Sequence, residues 1–164
     1  MDRSQLPVIA VVLLVAGAIG YVAVAEAGLA PAPWADNRDD ATVRISDDAG
    51  PIATVDVRVA DTPKERYEGL SGTKSLPDGE GMWFVFDGEA QRTFVMREMN
   101  YGLDMIFVGE DGRITTIHHA RPPGPGEDGN DLRYRGRARW VLELPRGYAN
   151  ETGIEVRDRA VLAD

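Results

Sequence analysis

The pattern of apolar and polar positions divides the chain into one continuous apolar segment and a series of short alternating segments. Residues 6–25 contain no charged side chain and are almost entirely Val, Ile, Leu, Ala and Gly. After residue 41, apolar and polar residues alternate in short runs separated by Gly, Pro and Asp. This period-two pattern is typical of strands with one buried face. It predicts an N-terminal membrane-directed segment (1–27), a linker (28–41) and one β domain (42–164).

The N-terminal apolar segment has two interpretations. Its ~20 residues match the length of a helix that crosses a bilayer. Ala23-Val24-Ala25 before Glu26 also resembles the cleavage site of a signal peptide. An uncleaved single-pass anchor is favoured because the apolar run exceeds the ~7–15 residues usual in signal peptides. Either interpretation predicts an extracytoplasmic domain, which is tethered to the cell membrane in the first and secreted after cleavage in the second.

A short helix is predicted after the first two strands of the domain. Thr62 can cap it, Pro63 suits its first position, and Glu65 completes a capping box. Gly69 and Gly72 are expected to end it.

Residues 81–108 are the most apolar part of the β domain, with apolar runs at 82–86, 94–96 and 103–108. Asp111-Gly112 then predicts a tight hairpin. Further strands are expected at 42–45, 52–59, 113–117, 139–144 and 154–162, and a short helical turn is expected at 145–153. About eight strands without βαβ alternation indicate an all-β fold, either a β-sandwich or a partly open barrel, with one or two short helices.

The composition limits the partners of the chain. The formal net charge is −9, and Lys is rare. Such an acidic surface suggests a halophilic source and argues against nucleic-acid binding, which needs clustered positive charge. Arg133, Arg135, Arg137 and Arg139 are the exception, and their spacing predicts one face of a solvated edge strand that is balanced by the preceding acidic loop. The absence of Cys excludes disulfides, thiolate metal sites and Cys nucleophiles.

Several motifs resemble a widespread prokaryotic family known as domain of unknown function 192. They are Glu65-Arg66 with Gly69-Leu70, Gly81-Met82, Phe94 with Met96, and Leu103-Asp104 with Phe107. The resemblance covers about residues 57–159 and implies a jelly-roll-like β-sandwich, often behind a signal or membrane segment, with no established activity. Gly102 stands where the family usually has Pro, and the acidic loop 124–131 stands where many members carry two Cys.

Charged side chains within the apolar centre are the main site candidates. Arg97 could hold a carboxylate or phosphate through two hydrogen bonds, or it could belong to an internal ion-pair network. Asp104 could act as a general base, or it could form a buried salt bridge with Arg97 or Arg66.

The two histidines, His118 and His119, are adjacent on a predicted strand and are expected to point to opposite faces. They cannot ligate one metal from a regular strand, and no metal or other cofactor is predicted. The candidate ligand-binding residues are Arg66, Met96, Arg97, Glu98, Asn100, Tyr101, Asp104 and His118. The favoured function is a non-enzymatic module that binds a small molecule. The alternatives are an accessory protein of an envelope complex and a small acid–base or hydrolytic enzyme that uses Asp104 and Arg97.

Overall fold

A computed structural model describes residues 40–163, which contain seven strands and two short helices. The elements are β1 (Asp40–Ser46), β2 (Pro51–Ala60), α1 (Pro63–Glu68), β3 (Glu80–Val95), β4 (Leu103–Val108), β5 (Ile114–Ala120), β6 (Arg133–Pro145), α2 (Tyr148–Thr152) and β7 (Arg159–Leu162). A 3-10 turn, Gly129–Asp131, precedes β6. Within this range no helix is long and apolar enough to cross a membrane. The predicted anchor and most of the predicted linker lie outside the described residues.

The strands form a single sheet in the order β5-β4-β6-β3-β2-β1-β7. Only β2 and β3 pair in parallel, and α1 lies in the connection between them. The sheet curls into a half-barrel, in which β7 and the residue before it reach the β4–β5 turn and the start of β5 at the opposite edge. There the Ile114 amide donates to the Asp158 carbonyl over 2.8 Å, and the Ala160 amide donates to the Gly112 carbonyl over 2.9 Å. The predicted all-β class with one or two short helices is therefore confirmed.

The sheet is apolar on both faces because side chains of its central strands alternate between two buried clusters. Trp83 on β3, Ile106 on β4 and Leu142 on β6 belong to the first cluster, which extends to β1, β2, β5 and β7. The second cluster lies on the other face and includes Phe84 and Phe107. Every residue of β4 is buried, since this strand is covered on both faces.

Several local predictions are confirmed in detail. The capping box of α1 is formed by Glu65 N–H donating to Thr62 Oγ1 over 3.2 Å and Thr62 N–H donating to Glu65 Oε2 over 3.1 Å. Gly69 ends the helix with φ of 52°, a conformation that favours glycine. The β4–β5 hairpin and the helical turn at α2 also lie where they were predicted.

The boundaries of three strands differ from those predicted. The first two apolar runs of the centre belong to one long strand, β3, in which residues 86–89 bulge opposite Arg139 alone. The strand β6 joins the predicted strand of the Arg series to the predicted 139–144 strand, and β7 is confined to the end of the predicted 154–162 strand.

The Arg series lies on the first part of β6, which pairs with β3 alone because β4 pairs only with residues 140–145. Arg133, Arg135 and Arg137 are exposed there, as expected for a solvated edge. The predicted balance by the preceding acidic loop is not found among the ion pairs of the described residues. Arg137 pairs with Glu89 on the β3 bulge, and Arg139 pairs with Glu110 in the β4–β5 turn. The preceding acidic loop makes a pair of its own, since Glu127 accepts two hydrogen bonds from Arg121 of 2.6 and 2.8 Å.

Candidate functional site

A pocket of about 260 Å³ lies between α1, β3 and the loop that follows β3. We call it the α1 pocket. Its walls are aromatic and aliphatic and are formed by Phe84, Phe86, Phe94, Leu70, Met99 and Leu103. Two of the predicted site residues, Arg66 and Arg97, line it together with a glutamate from β6, Glu143. The exposed Glu68 also lines it, and its carboxylate lies 3.6 Å from Lys64 Nζ. The pocket therefore combines an apolar wall with two guanidiniums, one exposed carboxylate and one buried carboxyl group.

Arg66 is fixed by its position in the last turn of α1. Its Nη1 donates to the Val85 carbonyl over 2.9 Å and to the carbonyl of Asp61. The guanidinium carbon lies 5.2 Å from the centre of the Phe86 ring, within the range of a cation–π contact. These contacts are to neutral groups, so they orient the cation without cancelling its charge.

Arg97 is held in a similar way from the opposite side of the pocket. Its Nη2 donates to the Tyr67 carbonyl and lies 3.4 Å from Ser71 Oγ, and its guanidinium carbon lies 4.0 Å from the centre of the Tyr67 ring. Within residues 40–163 neither Arg66 nor Arg97 is paired with a carboxylate. The described residues therefore do not place Arg97 in an internal ion-pair network, which was the alternative to a ligand-binding role.

Glu143 is the site residue that the sequence analysis missed. The strand registers place it in a row across the sheet, between Met82 on β3 and Met105 on β4, with Arg58 and His118 at the ends of the row. The side chain is buried, with 4% of the residue surface exposed. Burial raises the pKa of Glu143 to about 8 because the apolar surroundings disfavour its ionised form. At neutral pH the carboxyl group is therefore mostly protonated and can donate a hydrogen bond.

The sequence did contain a signal for the burial of Glu143. The residues around it, Val141, Leu142 and Leu144, are apolar on both faces of the strand. Such a pattern is typical of a central strand, where a charged residue has no route to solvent.

Asp104 lies on the other face of the sheet from the α1 pocket, so the predicted salt bridge to Arg97 or Arg66 is wrong. The carboxylate is fully buried, and its Oδ1 lies 2.7 Å from His119 Nδ1. Its Oδ2 accepts hydrogen bonds from the amides of Gly147 and Ala149 at the start of α2, over 3.1 and 2.9 Å. Asp104 and Arg97 do not form a common site.

His119 was also missed as a partner of Asp104. The turn closes with the Gly109 amide donating to the Arg113 carbonyl over 2.8 Å, and the register then shifts between Phe107 and Val108. This shift, which the Asp111-Gly112 signal does not predict, places Asp104 opposite His119. The expectation that the two histidines face opposite sides is confirmed, since His118 packs against Phe107 and Tyr134 and lies 2.8 Å from the Arg135 carbonyl.

The remaining candidate residues lie outside the lining of the α1 pocket. Met96 is fully buried in the second cluster, and Asn100 is exposed. Glu98 has a φ of 55°, and its carbonyl accepts a hydrogen bond from the Gly72 amide over 3.1 Å. Tyr101 OH lies 2.6 Å from Thr73 Oγ1, and burial raises the pKa of Tyr101. These residues shape the loop that carries Arg97.

Among residues 40–163, no three His, Asp or Glu side chains are grouped closely enough to hold a metal ion.

A family model, DUF192, described as an uncharacterised ACR, matches residues 43–162. The chain belongs to the domain of unknown function 192 family. Five residues of the motifs that resemble this family line the α1 pocket, namely Arg66, Gly69, Leu70, Phe94 and Leu103. Part of the family motifs of the DUF192 domain thus lies at this pocket, while Asp104 lies on the other face of the sheet.

Two solved structures are similar to the DUF192 domain. A protein of unknown function from Novosphingobium aromaticivorans DSM 12444 has a TM-score of 0.69 and 29% identity, covering 87% of this chain and 99% of that one. A protein from Sinorhizobium meliloti 1021, described as a proposed transcription regulator, has a TM-score of 0.68 and 26% identity, covering 76% of this chain and 95% of that one. No curated protein matches the sequence.

Proposed function

We propose that the DUF192 domain is a non-enzymatic module that binds a small amphipathic anion in the α1 pocket. The observation that carries the proposal is an apolar pocket lined by the buried Glu143 and by two guanidiniums that have no carboxylate partner within residues 40–163. Concave, mostly apolar pockets with a few converging polar groups are the usual form of ligand sites. The five family-motif residues that line this pocket support the same location.

The charges of the pocket select the class of ligand. The two guanidiniums of Arg66 and Arg97 outnumber the single exposed carboxylate of the pocket, Glu68, which is paired with Lys64. They disfavour a cation and can hold a carboxylate or phosphate group, while the aromatic side chains of the wall suit an apolar body. Glu143 can donate a hydrogen bond to an acceptor on the ligand while it is protonated. A short aliphatic or aromatic carboxylate has each of these features, and the cavity volume limits it to a small one.

The enzymatic alternative has less support from the geometry. Asp104 and Arg97, which it would use together, lie on opposite faces of the sheet. Within the described residues, Asp104 and His119 form an oriented pair, but no nucleophile is hydrogen-bonded to His119. The pair therefore lacks the nucleophile that would complete a catalytic set of nucleophile, base and orienting group.

The setting of the module is proposed from the sequence. Residues 6–25 have the length and hydropathy of a membrane anchor, which would tether the domain on the extracytoplasmic side of the cell membrane. A transcription regulator, the role proposed for the Sinorhizobium meliloti protein, fits this chain poorly because its net charge of −9 opposes nucleic-acid binding. An accessory protein of an envelope complex is the second candidate, and it would use the same rim to contact another protein.

The proposal is tested by native mass spectrometry of the protein purified from its host, followed by titration with phenylacetate and hexanoate. We expect a stoichiometric small acid on the purified protein. We also expect binding of these carboxylates but not of the alcohols with the same carbon skeleton. Loss of a charge-assisted hydrogen bond costs about 1.5–3 kcal/mol, so Arg97→Gln should weaken binding roughly tenfold to a hundredfold.

Arg133→Gln is the matched control because Arg133 is exposed on β6 and does not line the pocket. Binding should also weaken above the pKa of about 8 at which Glu143 ionises, since the carboxylate would then repel the anion. A purified protein without bound mass, together with carboxylate affinities that Arg97→Gln leaves unchanged, would favour the envelope protein partner instead.

A further inference from the structure

The second half of β3 has an open edge beside the α1 pocket. β2 pairs only with residues 80–84 of β3, whereas β6 pairs with the other side of β3 as far as Val95. Within residues 40–163, no strand therefore pairs with residues 90–95 on the side that β2 would occupy. We call this side the β3 edge. Thr93 and Val95 also line the α1 pocket, so the β3 edge forms part of the pocket wall.

The backbone polar groups of the β3 edge point outward at every second residue. Side chains of β5 lie within hydrogen-bonding distance of the carbonyl oxygens of Arg135 and Arg137, at 2.8 and 2.7 Å, so both carbonyls point away from β3. Opposite residues of an antiparallel pair either exchange hydrogen bonds or both point away from each other. Thr93 and Gln91 lie opposite these two arginines, so their N–H and C=O groups point away from β6. Both residues are exposed, and such a row of outward groups is a template for another strand.

Two guanidiniums flank the β3 edge. Arg66 Nη1 donates to the Val85 carbonyl over 2.9 Å, close to the point where β2 stops pairing with β3. Arg97 follows the other end of the edge, two residues after Val95. In the described part of the chain neither guanidinium is paired with a carboxylate, and Glu68 is paired with a lysine of α1. The edge is therefore complementary in charge to a chain that carries a carboxylate.

The blocked end of the β3 edge selects the direction of an added strand. Ala60 of β2 lies opposite Phe84, and α1 begins at Pro63, so an added strand has to stop at this point. An antiparallel strand would stop there with its C-terminus, and a parallel strand would start there with its N-terminus. The guanidinium of Arg66 attracts a terminal carboxylate and repels a terminal ammonium group. The charges therefore favour an antiparallel strand with a free C-terminus.

We propose that the β3 edge binds the C-terminal segment of a partner protein as an added antiparallel strand. The terminal carboxylate lies at Arg66, and the last side chain, an apolar one, packs on the aromatic wall of the α1 pocket. In this mode of recognition the main-chain hydrogen bonds provide affinity and the side-chain pocket provides specificity. The inference rests on the proposed function, because the pocket has to hold a carboxylate, and it identifies that carboxylate as the C-terminus of a peptide.

The test titrates the full-length protein in detergent micelles with the hexapeptide acetyl-Ser-Val-Thr-Ser-Val-Phe, its C-terminal amide, and N-acetylphenylalanine. The free hexapeptide should bind roughly tenfold or more tightly than N-acetylphenylalanine, which reaches the pocket but not the edge. It should exceed the amide by a similar factor, because the amide carries no charge for the guanidinium. Arg66→Gln should remove most of this preference for the acid, and Arg44→Gln, at an exposed arginine of β1, should keep it.

Two further measurements report the added strand itself and need no protein variant. On saturation with the hexapeptide, the amides of Gln91 and Thr93 should gain protection from hydrogen exchange. The amides of Arg92 and Phe94 are internal controls, since the alternation of the ladder directs them to β6. N-methylation along the peptide should weaken binding at every second residue, because only alternate N–H groups face β3.

The outcomes separate this inference from the proposed function. If N-acetylphenylalanine binds and the hexapeptide binds no more tightly, the added strand is overturned and the proposed function stands. The added strand is also overturned if N-methylation has the same effect at neighbouring residues, or if Gln91 and Thr93 gain no protection. An acid preference that survives Arg66→Gln would overturn the position of the carboxylate. If neither acid binds, the added strand and the proposed function both fail.

Discussion

Glu143 lies between Met82 and Met105, and this apolar setting couples the stability of the domain to pH. Burial raises the pKa of Glu143 from 4.5 to about 8. In the unfolded chain the same carboxyl group ionises near pH 4.5. Below about pH 4.5 the carboxyl group is protonated in both the folded and the unfolded state, and its contribution to stability is fully present. As the pH rises to about 8, the unfolded chain ionises first, and this contribution is lost.

Glu143→Gln should remove most of this pH dependence. A difference of one pKa unit corresponds to roughly 1.4 kcal/mol, so the variant should gain up to about 3 kcal/mol in free energy of unfolding at pH 7. The measurement is urea unfolding of residues 36–164 at a series of pH values between about 5 and 8. The gain requires that the amide of the introduced glutamine find hydrogen-bond partners, which makes 3 kcal/mol an upper value.

Glu155→Gln is the control for this series because Glu155 is exposed and its removal changes the same charge. It should leave the slope of stability against pH as it is in the parent protein. Equal slopes for Glu143→Gln and the parent would show that Glu143 ionises normally in the folded domain.

At the scale of elements, Asp104 joins three of them. It lies on β4, pairs with His119 on β5, and accepts the amides of Gly147 and Ala149 at the start of α2. The helix α2 has only five residues, and its N-cap, Gly147, provides no side-chain hydrogen bond. The carboxylate of Asp104 takes the place that a capping side chain would have.

We expect Asp104→Asn to destabilise the domain without affecting the α1 pocket. Hydrogen bonds to charged groups contribute about 1.5–3 kcal/mol, and Asn replaces one acceptor oxygen by a donor. Urea unfolding should show a loss of this size, while phenylacetate affinity should match that of the parent protein. A large loss of affinity in a folded Asp104→Asn variant would return Asp104 to the list of site residues.

The interaction of Asp104 with His119 can be measured separately by a double-mutant cycle with His119→Gln. Because the two side chains are in direct contact, their effects should fail to add by about 0.5–3 kcal/mol. The same cycle with His118→Gln is the control, since His118 points to the other face of β5 and should be additive.

The sequence predicted elements well where local chemistry decides the structure. Thr62, Pro63 and Glu65 specify the start of α1 without help from the rest of the fold. A strand was predicted from the spacing of the Arg series, but its continuation into residues 139–144 as one strand was missed because residues 133–138 alternate Arg with small or partly polar residues. Gly136 is required there because a Cβ atom would lie 2.4 Å from the Phe107 ring, a contact made by a strand distant in sequence.

The candidate site was predicted only in part, because some of its residues are marked by the local sequence and others depend on the arrangement of distant strands. Arg97 was identified because a charge within the apolar centre is conspicuous in sequence, and Arg66 belongs to the Glu65-Arg66 motif that resembles the family. The apolar neighbours of Glu143 indicated burial, but its place in the α1 pocket depends on β6 lying between β3 and β4, and strand order is a long-range property. Asp104 was identified as buried, but its partners required the register of a hairpin and the position of α2.

For the whole molecule, the net charge of −9 is the property with the widest consequence. Mutual repulsion of surface carboxylates opposes the compact state, and salt reduces it. The Debye length falls from about 10 Å at 0.1 M salt to about 3 Å at 1 M. The exposed ion pairs, such as Lys64–Glu68 and Arg121–Glu127, would be weakened by the same screening, but pairs of this kind contribute only about 0–1 kcal/mol each.

We therefore expect the isolated domain, residues 36–164, to gain stability as NaCl is raised from about 0.1 M to molar concentration. The gain should exceed that produced by an osmotically equal amount of sucrose, which acts on burial but does not screen charge. Asp48→Asn combined with Asp131→Asn removes two exposed charges and should raise stability at low salt while reducing the slope against salt. Urea midpoints at each salt concentration provide the measurement. Equal midpoints with and without molar salt would mean that repulsion is too weak to matter, and the halophilic interpretation of the composition would be abandoned.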